Sequence, residues 1–460
     1  MKTRLFNLWY RLRSSFWFLP ALMTVLVIGL FFTNQAMDEF LRHSPLTERW
    51  WVYTGGPAGA RSVLSTIAAS MITVAGVVFS ITIVVLTLAS SQFGPRLIKN
   101  FMQVRVYQIV LGTFVATFIY CILVLQTIRD FADMVYVPVI SFFFGLLLAI
   151  LNLGLLIFFI HSVSESIQAD NIIAKVFRDL HEATDRIFPD KLGHDDLIRS
   201  EQKREADMPP EFHHQAAEVM AENSGYLQVV DNDGLMRIAV EEDLLIHLDH
   251  RPGDFITRGH ILVKIWPGER AGETLAPKIN SVFILGAVRT LEQDVEFAIN
   301  QMVEVAVRAL SPGVNDPFTA LTCIDWLGVA LSRLAGRRLP SSHRYDDEDR
   351  LRVIAKPFDF EGITDAAFNL IRQNALASVA VTIHLLETIT TVAARVRGSD
   401  ARGVLLRHAA MIYRGGKDQA WSEGDREDVA QRYHAAVKAL KGSAGESENF
   451  APGPAGRVKI

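Results

Sequence analysis

Apolar positions crowd into four runs in the first third of the chain, at residues 16–32, 63–90, 106–126 and 137–160. A helix needs roughly 20 mostly apolar residues to cross a bilayer. The last three runs reach that length and the first falls slightly short, so the pattern predicts four transmembrane helices. No Asp, Glu, Lys or Arg lies inside any run. A proton-coupled pump normally carries an intramembrane ionisable group, so that class is disfavoured.

Beyond residue 160 the apolar spacing stays near 3.6, through Ile172, Ile173, Val176, Phe177, Leu180 and Ile187. This predicts a helical stalk ended by Pro189, then a charged linker over 190–211. From 224 to 267 the pattern shortens into β-prone pieces at 226–230, 235–240, 244–248 and 261–266, separated by turn pairs such as Asp233-Gly234 and Pro252-Gly253. The 252–262 stretch, with Gly253 and Gly259, resembles the small β-sandwich of biotinyl and lipoyl carriers. Those carriers present a lysine at a hairpin tip. Here Lys264 falls inside a predicted strand, which favours a structural or docking role over a swinging arm.

Helical spacing returns at Thr290. Thr290 and Gln293 form a T-x-x-Q capping pattern, and Leu291, Val295, Ala298, Met302, Ala306 and Ala309 make one apolar face. The motif Ser311-Pro312-Gly313-Val314-Asn315-Asp316-Pro317 follows. Gly313 suits a helix end, and Asp316-Pro317 suits an N-cap and first helical residue, so a helix–turn–helix connection is expected. Residues 337–350 read as a charged loop in which Asp346–Asp349 are solvated, 365–396 as one long helix, and 441 onward as disordered.

The expected fold is therefore mainly α. A four-helix transmembrane domain precedes a cytosolic α+β region with a small β-sandwich and a helical C-terminal domain. The boundaries fall at 1–165 (membrane), 166–222 (stalk and linker), 223–270 (β-rich), 280–440 (helical) and 441–460 (tail).

Lys2, Arg4, Arg11 and Arg13 precede the first run, and Arg96, Lys99 and Arg105 lie between the second and third. The other two loops mix signs. The positive-inside rule places both termini in the cytosol and Trp50, Trp51 and Tyr53 at the outer interface. No small-residue cleavage site follows the first run, so it reads as a retained helix rather than a signal peptide.

Composition narrows the function without naming it. Half of the 460 residues are apolar and the formal net charge is −4, which argues against a nucleic-acid binder. Two cysteines exclude a disulfide framework and a cysteine-rich zinc site. His213, His214, His247 and His250 lack metal-ligand spacing, and no phosphate loop, G-x-S-x-G or H-E-x-x-H occurs. No catalytic residue, metal ligand or cofactor is nominated, and no enzymatic activity is expected.

Two candidate sites remain. In the second run Thr66, Thr73, Ser80 and Thr87 recur every seven residues, with Ala69 and Gly76 beside them. Seven residues are nearly two turns, so the hydroxyls share a stripe. Such a stripe can line a water-filled path or serve helix packing. Asn152 in the fourth run reads as interhelical glue. The second candidate is a polar ligand pocket of Arg289, Gln293, Asp294, Asn315 and Asp316.

Val74-Ala75-Gly76-Val77-Val78-Phe79-Ser80, then Ser90-Ser91-Gln92-Phe93, together with the 311–317 motif, resemble a bacterial predicted-membrane-protein family classed as a domain of unknown function. The resemblance implies a multi-pass protein of the bacterial inner membrane and carries no established activity. The functional expectation is a homo-oligomeric channel or channel-like transporter with a cytosolic regulatory domain, whose partners are the bilayer, further copies and a small ion or cytosolic ligand. The alternative is a non-transporting sensor or scaffold.

Overall fold

The computed structural model describes residues 17–42, 56–94, 105–131, 134–166, 168–187, 208–337, 341–396, 398–417 and 419–442. The charged N-terminal segment, Trp50, Trp51, Tyr53, most of the 190–211 linker and nearly all of the tail lie outside these residues. The chain divides into two compact units, Met1–Ile172 and Ile173–Ile460.

The first unit contains α1 (Phe18–Arg42), α2 (Gly56–Phe93), α3 (Arg105–Thr127) and α4 (Val139–Ser166). A short hairpin, β1 (Arg129–Phe131) with β2 (Met134–Tyr136), joins the last two. α3 is the central helix and touches each of the others. It buries Tyr107, Val110, Leu111, Phe114, Tyr120 and Cys121 in two apolar clusters. A Cβ added at Gly112 would meet Met23 Sδ at 2.8 Å and the Pro20 Cα at 3.0 Å, so α1 and α3 approach closely because residue 112 has no side chain.

Polar groups in this unit pair with one another, as a low-dielectric interior requires. Asn34 Nδ2 donates to the Tyr120 hydroxyl (2.9 Å), which donates to the Ser141 carbonyl (3.2 Å). The buried Asp38 carboxylate accepts from Ile140 N, Ser141 N and Ser141 Oγ, capping the start of α4 from another helix. Asn152 is fully buried and donates to Thr117 Oγ1 at 2.7 Å, tying α4 to α3.

The boundary between the units falls within α5 (Ala169–Ile187), the stalk helix. The stalk does not continue α4 without interruption, because α4 ends at Ser166 and α5 starts at Ala169. A β lobe follows. One sheet has the order β3-β7-β5-β10-β9: β3 Ala217–Met220, β5 Leu245–His247, β7 Ile261–Trp266, β9 His343–Tyr345 and β10 Leu351–Ile354. The other has the order β6-β4-β8: β6 Phe255–Ile256, β4 Gly225–Val230 and β8 Phe283–Gly286. Leu227, Ile246, Ile256, Val263 and Ile265 fill the core they share with α6 (Asn232–Glu241) and α7 (Leu275–Ser281). The remaining helices, α8 (Val295–Ala309), α9 (Pro317–Ala335), α10 (Phe360–Asn374), α11 (Val379–Ala393), α12 (Ser399–Lys417) and α13 (Glu423–Gly442), form a helical layer.

Four expectations change here. Residues 235–240 are helical because the Asp231 side chain accepts from Gly234 N as an N-cap, and the buried positions Leu235 and Ala239 are four apart. The 337–350 loop contains β9. Asp346 is not solvated: it accepts from Arg352 Nε at 2.8 Å, both side chains being 6% exposed. Burial raises its carboxyl pKa, but hydrogen bonds from Arg352 and the Arg350 and Glu348 amides hold it below the usual value. The long helix at 365–396 is two, because α10 ends at Asn374 and Ser378 caps α11. Finally, Asp294, not Thr290, caps α8 by accepting from Phe297 N, and the Thr290 hydroxyl is buried without a partner.

Among the described residues, five helices are long and apolar enough to cross a membrane: α1, α2, α3, α4 and α9. α9 carries residues ion-paired to other helices, Asp325 with His384 of α11 and Arg333 with Asp185 of α5.

Candidate functional site

The hydroxyl stripe lies on α2, whose buried face is Leu64, Ala68, Ala75, Val78, Val85 and Ala89. Thr66, Thr73, Ser80 and Thr87 are all exposed, on the side away from α3 and α4. Three of them bond their own helix: Thr66 to the Ser62 carbonyl, Thr73 to Ala69 and Thr87 to Ile83, at 2.8–2.9 Å. Among the described residues the stripe is therefore left uncovered. It continues as Ser62, Thr66, Ala69, Thr73, Gly76 and Ser80, spaced alternately four and three, and nothing lies within 4 Å of a Cβ placed at Gly76. The outward face of α4 is unlike it, with Leu147, Ile150, Leu151, Leu153, Ile157 and Phe158 exposed.

The five candidate pocket residues do not converge. Asn315 and Asp316 follow the C-terminal end of α8, and the others precede its N-terminal end. A helix of that length, 15 residues, spans about 22 Å at 1.5 Å per residue. Asp316 accepts from Thr319 N and Thr319 Oγ1 as the N-cap of α9, with Pro317 first in the helix. Asn315 takes a left-handed φ of +49° in the turn, a conformation asparagine tolerates. The motif makes the connection its residue chemistry dictates.

At the other end of α8, Arg289 and Asp294 meet each other. Arg289 Nε and Nη2 donate to the two oxygens of Asp294 at 2.7 and 2.8 Å, and Asp294 is 1% exposed. Gln293 pairs with β4 like an added strand residue, accepting from Val230 N and donating to Val230 O. Gly253, at φ +101°, backs onto this pair, since a Cβ there would collide with Asp294 Oδ2. Two residues of this site, Arg251 and Glu296, escaped the sequence reading and complete it. Arg251 donates to Glu296 Oε1 at 2.6 Å and lies over the Phe358 ring, 4.8 Å from its centroid. Its partner stands 45 residues away, and nothing local in the sequence links them. Burial raises the Glu296 carboxyl pKa, Arg251 and Arg289 pull it down, and Asp294 and Asp254 push it up; the net direction is up.

The stalk is fastened nearby. Arg186 of α5 donates to Glu292 Oε2 and to the Leu291 carbonyl, at 3.1 and 2.6 Å, while Asp185 pairs with Arg333 and Arg337 of the α9 end. Residues 289–296 thus contact stalk, β lobe and helical layer. Among the described residues no group of three or more His, Cys, Asp or Glu side chains is placed to hold a metal ion.

The chain is similar to two mycobacterial proteins, Uncharacterized protein Mb1321c of Mycobacterium bovis and Uncharacterized protein Rv1290c of Mycobacterium tuberculosis. Each is 32% identical over 384 residues, covering 82% of this chain and 72% of the relative. No solved structure matches. A family model described as Predicted membrane protein (DUF2254) matches residues 13–391, from before α1 to the end of α11. With its apolar helices and that match, the chain is a membrane protein in contact with a lipid bilayer, and it belongs to the DUF2254 family of predicted membrane proteins.

Proposed function

We propose that this protein forms a homo-oligomeric, channel-like assembly of the bacterial inner membrane, in which the outward stripe of α2 meets the same stripe of other copies and borders a water-accessible path. α1–α4 cross the bilayer, both termini face the cytosol, and the second unit regulates the assembly without catalysing a reaction. α9 stays outside the membrane, because Asp325 and Arg333 would be expensive to bury in lipid.

The observation that carries this reading is the contrast between α2 and α4. Lipid tails suit bulky aliphatic side chains such as those on α4. A stripe of Ser, Thr, Ala and Gly, even flanked by exposed Val77 and Val84, gives lipid little to pack against along its length, yet allows close backbone approach between helices. Threonine hydroxyls bonded to their own helix still present oxygen lone pairs to a path.

Ion flux into proteoliposomes tests it. Wild-type protein should conduct, Ser80→Phe should block, and Thr73→Ala should alter the rate. No flux, together with monomers of correctly inserted protein, would instead favour a non-transporting sensor or scaffold.

A further inference from the structure

We propose that the junction between the β lobe and the helical layer is a proton-operated latch, which tightens when the cluster around Glu296 takes up one proton.

The cluster assembles from three elements. The β-lobe loop supplies His250, Arg251 and Asp254; α8 and its lead-in supply Arg289, Asp294 and Glu296; the cap of α10 supplies Asp359. Arg251 crosses from the β lobe into the helical layer, where it meets Glu296, the Phe358 ring and, at 3.4 Å, the Pro357 carbonyl. Glu296 and Arg251 are 15% and 17% exposed. A Cβ at Gly362 would lie 3.2 Å from Glu296 Oε1 and 3.1 Å from Asp359 Oδ1, so those two carboxylates stand close together at the start of α10.

Four carboxylates thus face two guanidinium groups, and His250 sits at the margin, 3.9 Å from Asp254. Asp294 is fully engaged by Arg289 and by the α8 cap, and Asp254 accepts from the Arg251 amide. Glu296 is left with one strong partner in a cluster that carries excess negative charge.

The direction of the response follows. Like charges and burial favour the neutral form of a carboxyl group. In the closed junction Glu296 holds its proton more tightly than an ordinary glutamate, in keeping with its raised pKa. If the junction parts, water reaches the group and that preference disappears. The closed form therefore binds more protons. Closing is favoured as pH falls through the raised value, and opening is favoured above it. Arg186 fastens the stalk to residues 291–292 of the same segment, so the latch lies on the route from β lobe to stalk.

Hydrogen exchange of the full chain in lipid nanodiscs tests this, after correction for the intrinsic pH dependence of exchange. Wild-type peptides covering 226–230 and 251–254 should open less at pH 5 than at pH 8. The expected change is a severalfold loss of opening at the acid end, in the direction that proton uptake by one carboxyl group sets. Glu296→Gln should hold both peptides at the acid value at every pH. Asp254→Asn should keep the transition and move its midpoint to lower pH, and His250→Gln should leave it in place. A flat wild-type profile, a transition that survives Glu296→Gln, or one abolished only by His250→Gln would overturn the latch.

Discussion

α2 and α4 are both long and apolar, and each buries one side against α3. They differ in what they turn away from the protein. α4 presents Leu, Ile and Phe, whereas α2 presents, beside exposed Ile72, Val77, Phe79 and Val84, a stripe of hydroxyls with Ala69 and Gly76. Mean hydropathy does not separate these helices; the stripe of small and hydroxyl residues on α2 does. Apolarity decides whether a helix enters the membrane. The size of its outward side chains decides whether lipid or another protein surface suits it.

This contrast can be broken in four ways. The largest effect should come from cysteine cross-linking in membranes. Thr73→Cys should link copies into dimers as the major product, while Leu153→Cys on α4 should give only background. The native Cys121 and Cys323 are buried and should not interfere. Equal cross-linking at both positions would remove the distinction between the faces.

Three smaller effects bear on stability, read by reversible unfolding in bicelles. Gly112→Leu forces a side chain between α1 and α3 and should destabilise by about 1–3 kcal/mol, in line with overpacked cores. Asn152→Ala removes the buried bond to Thr117 and should cost about 0.6 kcal/mol, the mean for interhelical hydrogen bonds in membranes. Leu153→Ala, one residue further along but facing outward, should stay within about 0.5 kcal/mol. A large loss at Leu153 would mean that α4, too, has a protein neighbour.

The sequence revealed what depends on neighbours in the chain. The four apolar runs became helices, the seven-residue hydroxyl repeat kept to one face of α2, and Asp316-Pro317 started α9. Its failures were of two kinds. Some were local competitions between periods: residues 235–240 read as a strand until the Asp231 cap tipped them to a helix, and T-x-x-Q read as a capping box although Asp294 was the better cap. Others were long-range. β10 joins the sheet beside β5, some 100 residues earlier, and Arg251 finds Glu296 across the fold. Arg289, Gln293 and Asp294 were expected to line a ligand pocket. They bind one another, a cap and a strand edge, and Asn315 and Asp316 stand at the far end of the helix. Nothing in residue type distinguishes a polar residue that awaits a ligand from one already satisfied by the backbone.

α2 has one more consequence. Its apolar stretch over residues 63–90 is about 42 Å long at 1.5 Å per residue, against a hydrocarbon layer of roughly 30 Å. Held upright, it would push apolar side chains into the headgroups at both ends. Leaning by about 45°, or gathering thicker lipid around itself, removes the mismatch. In the assembly proposed above, the angle at which two such helices cross would then be tied to the thickness of the membrane around them, and the α2 stripe would act as a gauge of that thickness.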